Sequence, residues 1–125
     1  MRQLYKRSRD LLNESLALFR KFGDTYHEGV ALGNLGNLHS ALKESTAALD
    51  CFNQALQIAR LTKDVRSEAN TLFNSSLEYH NSGDLRSAMA NATAALEIFE
   101  AIEDPNAPRV RALIIQWQSS DDDLS

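Results

Sequence analysis

The stretch Ala31-Leu32-Gly33-Asn34-Leu35-Gly36-Asn37 places small glycines beside leucines at the spacing of one helix face. The same pattern returns later in the chain, since Leu32 recurs as Leu72 (72 − 32 = 40). Further along the repeat, Ala55-Leu56 recurs as Ala95-Leu96 at the same distance. A fixed period of this size predicts an array of similar units, each stacked on its neighbours.

Hydrophobic spacing and turn residues predict six helices, separated by short breaks. Gly23 and the run Asn81-Ser82-Gly83-Asp84 mark the clearest breaks. The expected capping residues are Asp24, Asp64 and Asp104, which lie 40 apart, and Ser45 or Thr46. For the second helix Thr25, in a capping box with Glu28, competes with Asp24. Pro105 is expected at the first position of the last helix. The predicted helices cover residues 2–21, 25–42, 46–62, 65–81, 85–102 and 104–119.

These positions together resemble tetratricopeptide repeats, in which a first helix carries a Leu-Gly pair and a second carries Ala, an aromatic residue and Ala-Leu. The first full repeat supplies Leu32, Leu35-Gly36, His39, Ala48, Phe52 and Ala55-Leu56. The second supplies Leu72, Ser75-Ser76, Tyr79, Ala88, Ala92 and Ala95-Leu96. The resemblance divides the chain into a half repeat (1–23), full repeats (24–63 and 64–103), a half repeat (104–119) and an acidic flexible tail (120–125).

The period of 40 is longer than the usual period of about 34 residues. It is similar to that of kinesin light chains and of adaptors rich in Leu-Gly-Asn, which Asn34-Leu35-Gly36-Asn37 matches. The second repeat departs from this pattern at Asn74-Ser75-Ser76-Leu77. The resemblance implies an all-α fold of antiparallel helix pairs, stacked into a right-handed superhelical solenoid with a concave face. In the core, Leu56 and Leu96 are expected to be deeply buried.

Composition excludes several classes of function. The formal charge of −4 and the pI of about 5.3 disfavour nucleic acid as a partner. The lone cysteine, Cys51, rules out an internal disulfide and favours a reducing compartment, so we expect a cytoplasmic protein. No apolar run approaches the roughly 20 residues of a membrane span, so we expect no membrane partner.

Motifs for catalysis, cofactor binding or metal binding are absent from the sequence. The histidines His27, His39 and His80 do not pair at helical spacing, and His39 takes the tyrosine position of the repeat, which favours a packing role. Cys51 neighbours Asp50 rather than a cation, which favours an ordinary thiol. We therefore expect no enzyme activity, no cofactor and no metal.

The resemblance places candidate partner-binding residues on the concave face, which the first helix of each repeat lines. These candidates are Asn34, Asn37, Asn70, Phe73, Asn74, Leu77, His80, Leu113 and Trp117. Asparagine amides can hydrogen-bond an extended peptide, which is the favoured role of Asn37, or they can bond neighbouring helices, an alternative that stays open for Asn34 and Asn74. The apolar candidates suit a bound helix, unless they pack on each other or the tail covers them. Gly33, Val110 and Ile114 stand where the family's carboxylate-clamping cations would be, which disfavours capture of a terminal carboxylate.

The sequence therefore predicts a module that binds a peptide or helix of a partner protein in a concave groove. The alternative is a self-assembly module that stacks through its terminal helices, forming a homodimer or a larger assembly. Tyr5, Leu12 and Phe19 in the first helix and Ala112 and Ile115 in the last lack a predicted helical mate. Such uncovered apolar surface favours association.

Overall fold

The structure is a computed structural model that describes the backbone of residues 1–124 and the side chains of residues 1–120. The described chain is all α-helical and contains no strand, as predicted. Its six helices are α1 (Arg2–Lys21), α2 (Thr25–Ala41), α3 (Ser45–Leu61), α4 (Val65–Asn81), α5 (Leu85–Ala101) and α6 (Ala107–Leu124). They form two compact units, residues 1–64 with α1 to α3 and residues 65–124 with α4 to α6.

The first five helices end in the same way, with a left-handed residue just past the helix. These residues recur every 20 positions and are Gly23, Lys43, Lys63, Gly83 and Glu103, with φ between 55° and 87°. Glycine adopts this conformation without steric cost, whereas the other three residues are strained by the contact of Cβ with the backbone. The repeat therefore fixes the places where the chain turns even where the sequence lacks glycine.

Aspartate side chains cap the starts of two helices. Asp24 accepts a hydrogen bond from the backbone N–H of His27 at 3.1 Å, and Asp84 accepts one from Ser87 at 3.1 Å. These bonds satisfy N–H groups that have no partner within the helix. The predicted cap of α3 is corrected, because Ser45 is already helical and the preceding Glu44 makes no capping hydrogen bond.

The carboxylate of Glu44 is engaged by two other helices of the first unit. It meets His39 Nδ1 at 3.0 Å and the guanidinium of Arg9 at 3.7 Å. The hydrogen bond with His39 is the main cause that lowers the pKa of Glu44 below its ordinary value. Thus His39, at the tyrosine position of the repeat, joins the end of α2 to the start of α3.

The core of the first unit lies where α2 meets α1 and α3. Leu16, Ala31, Leu32, Leu35 and Ala55 form its buried cluster. Gly29 lies against Ile58 and Gly36 lies against Phe52, so α2 and α3 run antiparallel. The absence of a side chain at Gly36 leaves room for the Phe52 ring, which is buried.

The second unit is packed with smaller side chains on α5. Ala88, Ala92, Ala95 and Phe99 are fully buried there. In α4, Ser76 replaces the glycine of the first repeat, and its hydroxyl donates to the carbonyl of Phe73 at 2.6 Å. A hydroxyl paired within its own helix can be buried at little cost. The second repeat thus has Ser76 where the first has Gly36, and Ala92 where the first has Phe52.

Two features of the core and the last helix differ from the prediction. Leu56 and Leu96 are half-buried, whereas the neighbouring Ala55 and Ala95 are buried. The last helix begins at Ala107, after Pro105, and continues to Leu124. The backbone of residues 120–124 is therefore helical rather than an irregular tail. The side chains of residues 121–125 and the backbone of Ser125, to which the expected acidic tail belongs, lie outside the described residues.

Candidate functional site

Three side-chain pairs connect α4 with α6 and the segment before it. Asp104 pairs with Arg66, Arg109 covers the ring of Phe73, and Trp117 stacks on His80. The α4 members are seven residues apart, which places them along one side of the helix (73 − 66 = 7, 80 − 73 = 7). Their partners follow in the same chain order, so α4 and α6 run parallel. This side of the second unit contains most of the predicted binding residues.

We refer to this surface as the α4–α6 face. It consists of Asn70, Phe73, Asn74, Leu77, His80, Arg109, Leu113 and Trp117. Leu77 lies between Phe73 and His80 along α4, and Leu113 lies between Arg109 and Trp117 along α6. Because the flanking pairs are in contact, the two half-buried leucines lie in the middle of the face.

The two aromatic candidates, Phe73 and Trp117, are buried, which corrects the expectation that they line an open groove. Their exposed fractions are 7% and 4%. The guanidinium carbon of Arg109 lies 5.2 Å from the centre of the Phe73 ring, a distance at which a cation is attracted to an aromatic face. The rings of His80 and Trp117 are 4.5 Å apart and inclined by 10°. The rings of Phe73 and Trp117 therefore lie beneath the exposed surface of the face, covered by Arg109 and His80.

The polar candidates differ in how far they are exposed. Asn70 and His80 are exposed on α4, and Asn74 is half-buried there. In the first unit, Asn34 and Asn37 are exposed on α2. Among the described residues, none of these four asparagine amides makes a hydrogen bond to another protein group. Their donors and acceptors are available to a ligand.

Arg66 and Arg109 belong to the site but were missed from the sequence. Arg109 occupies the position of Gly29 and Ala69 in the earlier repeats (109 − 69 = 40, 69 − 29 = 40), where the pattern favours a small residue. The presence of arginine at a position that otherwise holds a small residue could have indicated that Arg109 belongs to the site. Asp104 was read only as a helix cap, and it does accept from Asn106 N–H at 2.8 Å. Its second oxygen pairs with Arg66, which gives the buried carboxylate a cationic partner.

A cavity of about 380 Å³ lies beside the face, between the first half of α5 and the second half of α6. Leu85, Arg86, Met89, Trp117 and Gln118 line it. Its lining is mainly apolar, with one guanidinium and one amide. It holds neither a nucleophile paired with a base nor a pair of carboxylates, so it offers no arrangement for covalent or acid–base catalysis.

The described residues were also compared with the requirements of a metal site, a reactive thiol and a membrane span. No group of three or more His, Cys, Asp or Glu there is placed to hold a metal ion. Burial, with Asp50 nearby, raises the pKa of the Cys51 thiol, which opposes formation of a reactive thiolate. In this part of the chain no helix combines the length and apolar character that crossing a membrane requires.

Comparison with known proteins agrees with the helical repeat. A family model described as tetratricopeptide repeat matches residues 1–61 and residues 31–101. No curated protein matches the chain in sequence. The two overlapping matches cover most of the 125 residues, and they end where α3 and α5 end. The chain belongs to the tetratricopeptide repeat family.

Proposed function

We propose that this protein is an interaction module that takes up a peptide or a helix of a partner protein on the α4–α6 face. Tetratricopeptide repeats generally are non-enzymatic scaffolds that bind other proteins. The observation that carries the proposal is the pairing of apolar and unengaged polar groups on one side of α4 and α6. We further propose a cytoplasmic protein of the long-period subgroup that the Leu-Gly-Asn pattern resembles.

The centre of the face suits an apolar side chain of the partner. Leu77 and Leu113 are half-buried, so a ligand that covers them removes further apolar surface from water. Such burial contributes roughly 25 cal/mol per Å². The supporting rings of Phe73 and Trp117 are already held in place, so binding requires little additional ordering of side chains.

The edges of the face suit polar and acidic groups. The amide of Asn70 is free to pair with a peptide backbone, whose N–H and C=O groups need partners once they leave water. Arg109 is exposed and lies over Phe73, where a carboxylate of the ligand could pair with it. We therefore propose a ligand with one apolar anchor and an acidic residue for this face. Asn34 and Asn37 belong to the first unit, and we propose them separately as partner-binding residues of α2.

Selection of a displayed peptide library on the intact chain tests this function. The enriched peptides should carry an apolar residue near an acidic one. Their affinity should fall tenfold or more for Leu77→Asp and Leu113→Asp, since each places a charge at the apolar centre. Thr93→Asp is the matched control, because Thr93 is exposed on α5 away from the face. Peptides whose affinity is the same for all three variants would rule out this face.

A second candidate function is self-assembly through the terminal helices. The observation that favours it is the exposure of large apolar side chains on α1 and α6, including Leu11, Leu18 and Ile115. These side chains lie on other surfaces than the α4–α6 face. The two functions can therefore be tested by separate sets of substitutions.

A further inference from the structure

The outward side of α6 carries residues whose equivalents in the earlier repeats are buried. Ile115 is equivalent to Leu35 (115 − 35 = 80, two periods), yet it is 57% exposed while Leu35 is 1% exposed. Ala112, equivalent to the buried Leu32 and Leu72, is exposed as well. In the first unit, α3 packs against these positions of α2. The corresponding side of α6 therefore has the position of a core surface but no helix over it within the described residues.

The first helix, α1, also exposes a row of apolar side chains. Met1, Leu4, Leu11, Leu18 and Phe22 are all exposed. Their spacing of three, seven, seven and four residues places them on one side of α1. Leu11 and Leu18 are equivalent to Cys51 and Ile58 of α3 (51 − 11 = 40, 58 − 18 = 40).

Cys51 and Ile58 of α3 pack, beside Ala55, against the core cluster that includes Leu32 and Leu35 of α2. By this equivalence, α1 exposes the side with which the second helix of a repeat packs on the first helix. The chain therefore exposes two matching surfaces, one on α1 and one on α6.

We propose that copies of this chain associate head to tail, with α1 of one copy packed on α6 of the next. The two helices would complete a pair equivalent to α2–α3, with Leu11 of one copy set against Ile115 of the other. This proposal rests on the second candidate function and specifies its partner and interface.

The cavity beside α6 lies where the docked helix would begin. In the first unit α3 begins beside α1, where Glu44 meets Arg9 at 3.7 Å. The equivalent positions in the assembly are Leu4 of the docked helix (44 − 4 = 40) and Met89 (89 − 9 = 80). Met89 lines the cavity, and Leu4 is exposed on α1. An apolar pair thus replaces the ion pair of the first unit, which matches the largely apolar lining.

Charge favours this pairing over a two-fold contact between α1 helices. The antiparallel arrangement of a helix pair places the end of α6 beside the start of α1. The start of α1 carries Arg2, Lys6, Arg7 and Arg9. A contact between two α1 helices would bring these like charges together, whereas the head-to-tail contact sets α1 against a different helix.

A mixing experiment with two blocked variants tests the proposal. Leu11→Asp blocks α1 and Ile115→Asp blocks α6, and both side chains are exposed, so both variants should keep the wild-type helix content. We expect the wild-type chain to form species of increasing mass as its concentration rises, because a head-to-tail contact leaves a free surface at each end. Each variant alone should be monomeric. An equimolar mixture should give a particle of two chains, because only one productive contact can form.

Mass measured by sedimentation or by light scattering after size exclusion distinguishes the outcomes. Leu61→Asp is the matched control, since Leu61 is exposed on α3 outside the interface, and it should associate like wild type. Association of Ile115→Asp to the wild-type extent would overturn the proposal, because a contact between α1 helices does not need α6. A wild-type monomer at high concentration would overturn it too, as would failure of the mixed variants to pair.

The test keeps the two proposed functions apart. Neither Leu11 nor Ile115 belongs to the α4–α6 face, so both variants should retain the affinity of wild type for a selected peptide. If either aspartate variant loses helix content, Leu11→Gln and Ile115→Gln repeat the experiment without a charge. If no library peptide binds the α4–α6 face of the wild-type chain while its copies still associate, the first function alone is contradicted.

Discussion

Gly36 and Phe52 offer the sharpest test of how α2 and α3 pack. A Cβ atom added to Gly36 would lie 2.6 Å from Cδ1 of Phe52 and closer still to Cε1, well inside ordinary van der Waals contact. Gly33 lies one turn earlier in the same helix, and a Cβ added there would meet no atom within 4 Å. The two glycines therefore separate the cost of crowding from the effect of glycine on the helix itself.

The magnitudes follow from these two environments. Gly33→Ala should stabilise the protein by about 0.5–1 kcal/mol, since alanine loses less backbone entropy in a helix. Gly36→Ala gains the same amount but crowds a buried ring, which costs about 1–3 kcal/mol. The variant at 36 should therefore be less stable than the variant at 33 by about 1–3 kcal/mol. Phe52→Ala should cost about 3–5 kcal/mol, because it empties part of the core.

Combining the substitutions at 36 and 52 should reverse the sign of the first. With Phe52 replaced by alanine, the new methyl group at position 36 has room, so Gly36→Ala should then stabilise the protein. The coupling energy of this cycle should be about 1–3 kcal/mol. Urea unfolding followed by far-ultraviolet circular dichroism measures all four proteins. If Gly36→Ala stabilises the wild-type protein as much as Gly33→Ala does, the close packing of glycine and ring is refuted.

Three further predictions concern helix ends and the site. Lys63→Gly should raise the free energy of unfolding by about 0.5–1 kcal/mol, since position 63 has a φ of 58°, and thermal melting would detect it. Hydrogen bonds from Ser87 lower the pKa of Asp84 in the folded protein below its ordinary value of 3.8. The ionised Asp84 therefore stabilises the fold above pH 3.8, and this stabilisation is lost as the pH falls through the lower pKa of the folded protein. Asp84→Asn keeps a capping oxygen but no charge, so urea midpoints should show its deficit relative to wild type shrinking between pH 6 and pH 3. His80→Ala should expose Trp117, the only tryptophan, and shift its emission to longer wavelength.

Much of the helical layout could be predicted because its signals are local. The bounds of α1 and α4 agree with the prediction, those of α2 and α5 differ by one residue at the end of the helix, and α3 is shifted by one residue at both ends. Asp24 and Gly23 illustrate why, since a cap and a left-handed residue act within a few positions of themselves. The end of α6 was harder to predict from the sequence, because polar residues after Ser119 fit an exposed helix as well as a loop.

The face could be located but its internal pairing could not. Its members were found because repeat position assigns each residue to a side of its helix. The pairs Phe73–Arg109 and His80–Trp117 join residues 36 and 37 positions apart (109 − 73 and 117 − 80), and no local pattern links them. The prediction thus placed Phe73 and Trp117 on the surface, when neighbouring side chains cover them.

The outward side of α6 also indicates how strong its contact should be. Where α2 presents Leu32, Leu35 and Gly36 to its mate, α6 presents Ala112, Ile115 and Gln116. The latter set is less apolar than a permanent core, yet it retains an exposed isoleucine at the central position. Interfaces that form and dissociate have this mixed character, whereas permanent ones resemble a protein interior. Because α1 contributes the larger apolar share through its leucines, any residual association at the highest chain concentrations should be weaker for Leu11→Asp than for Ile115→Asp.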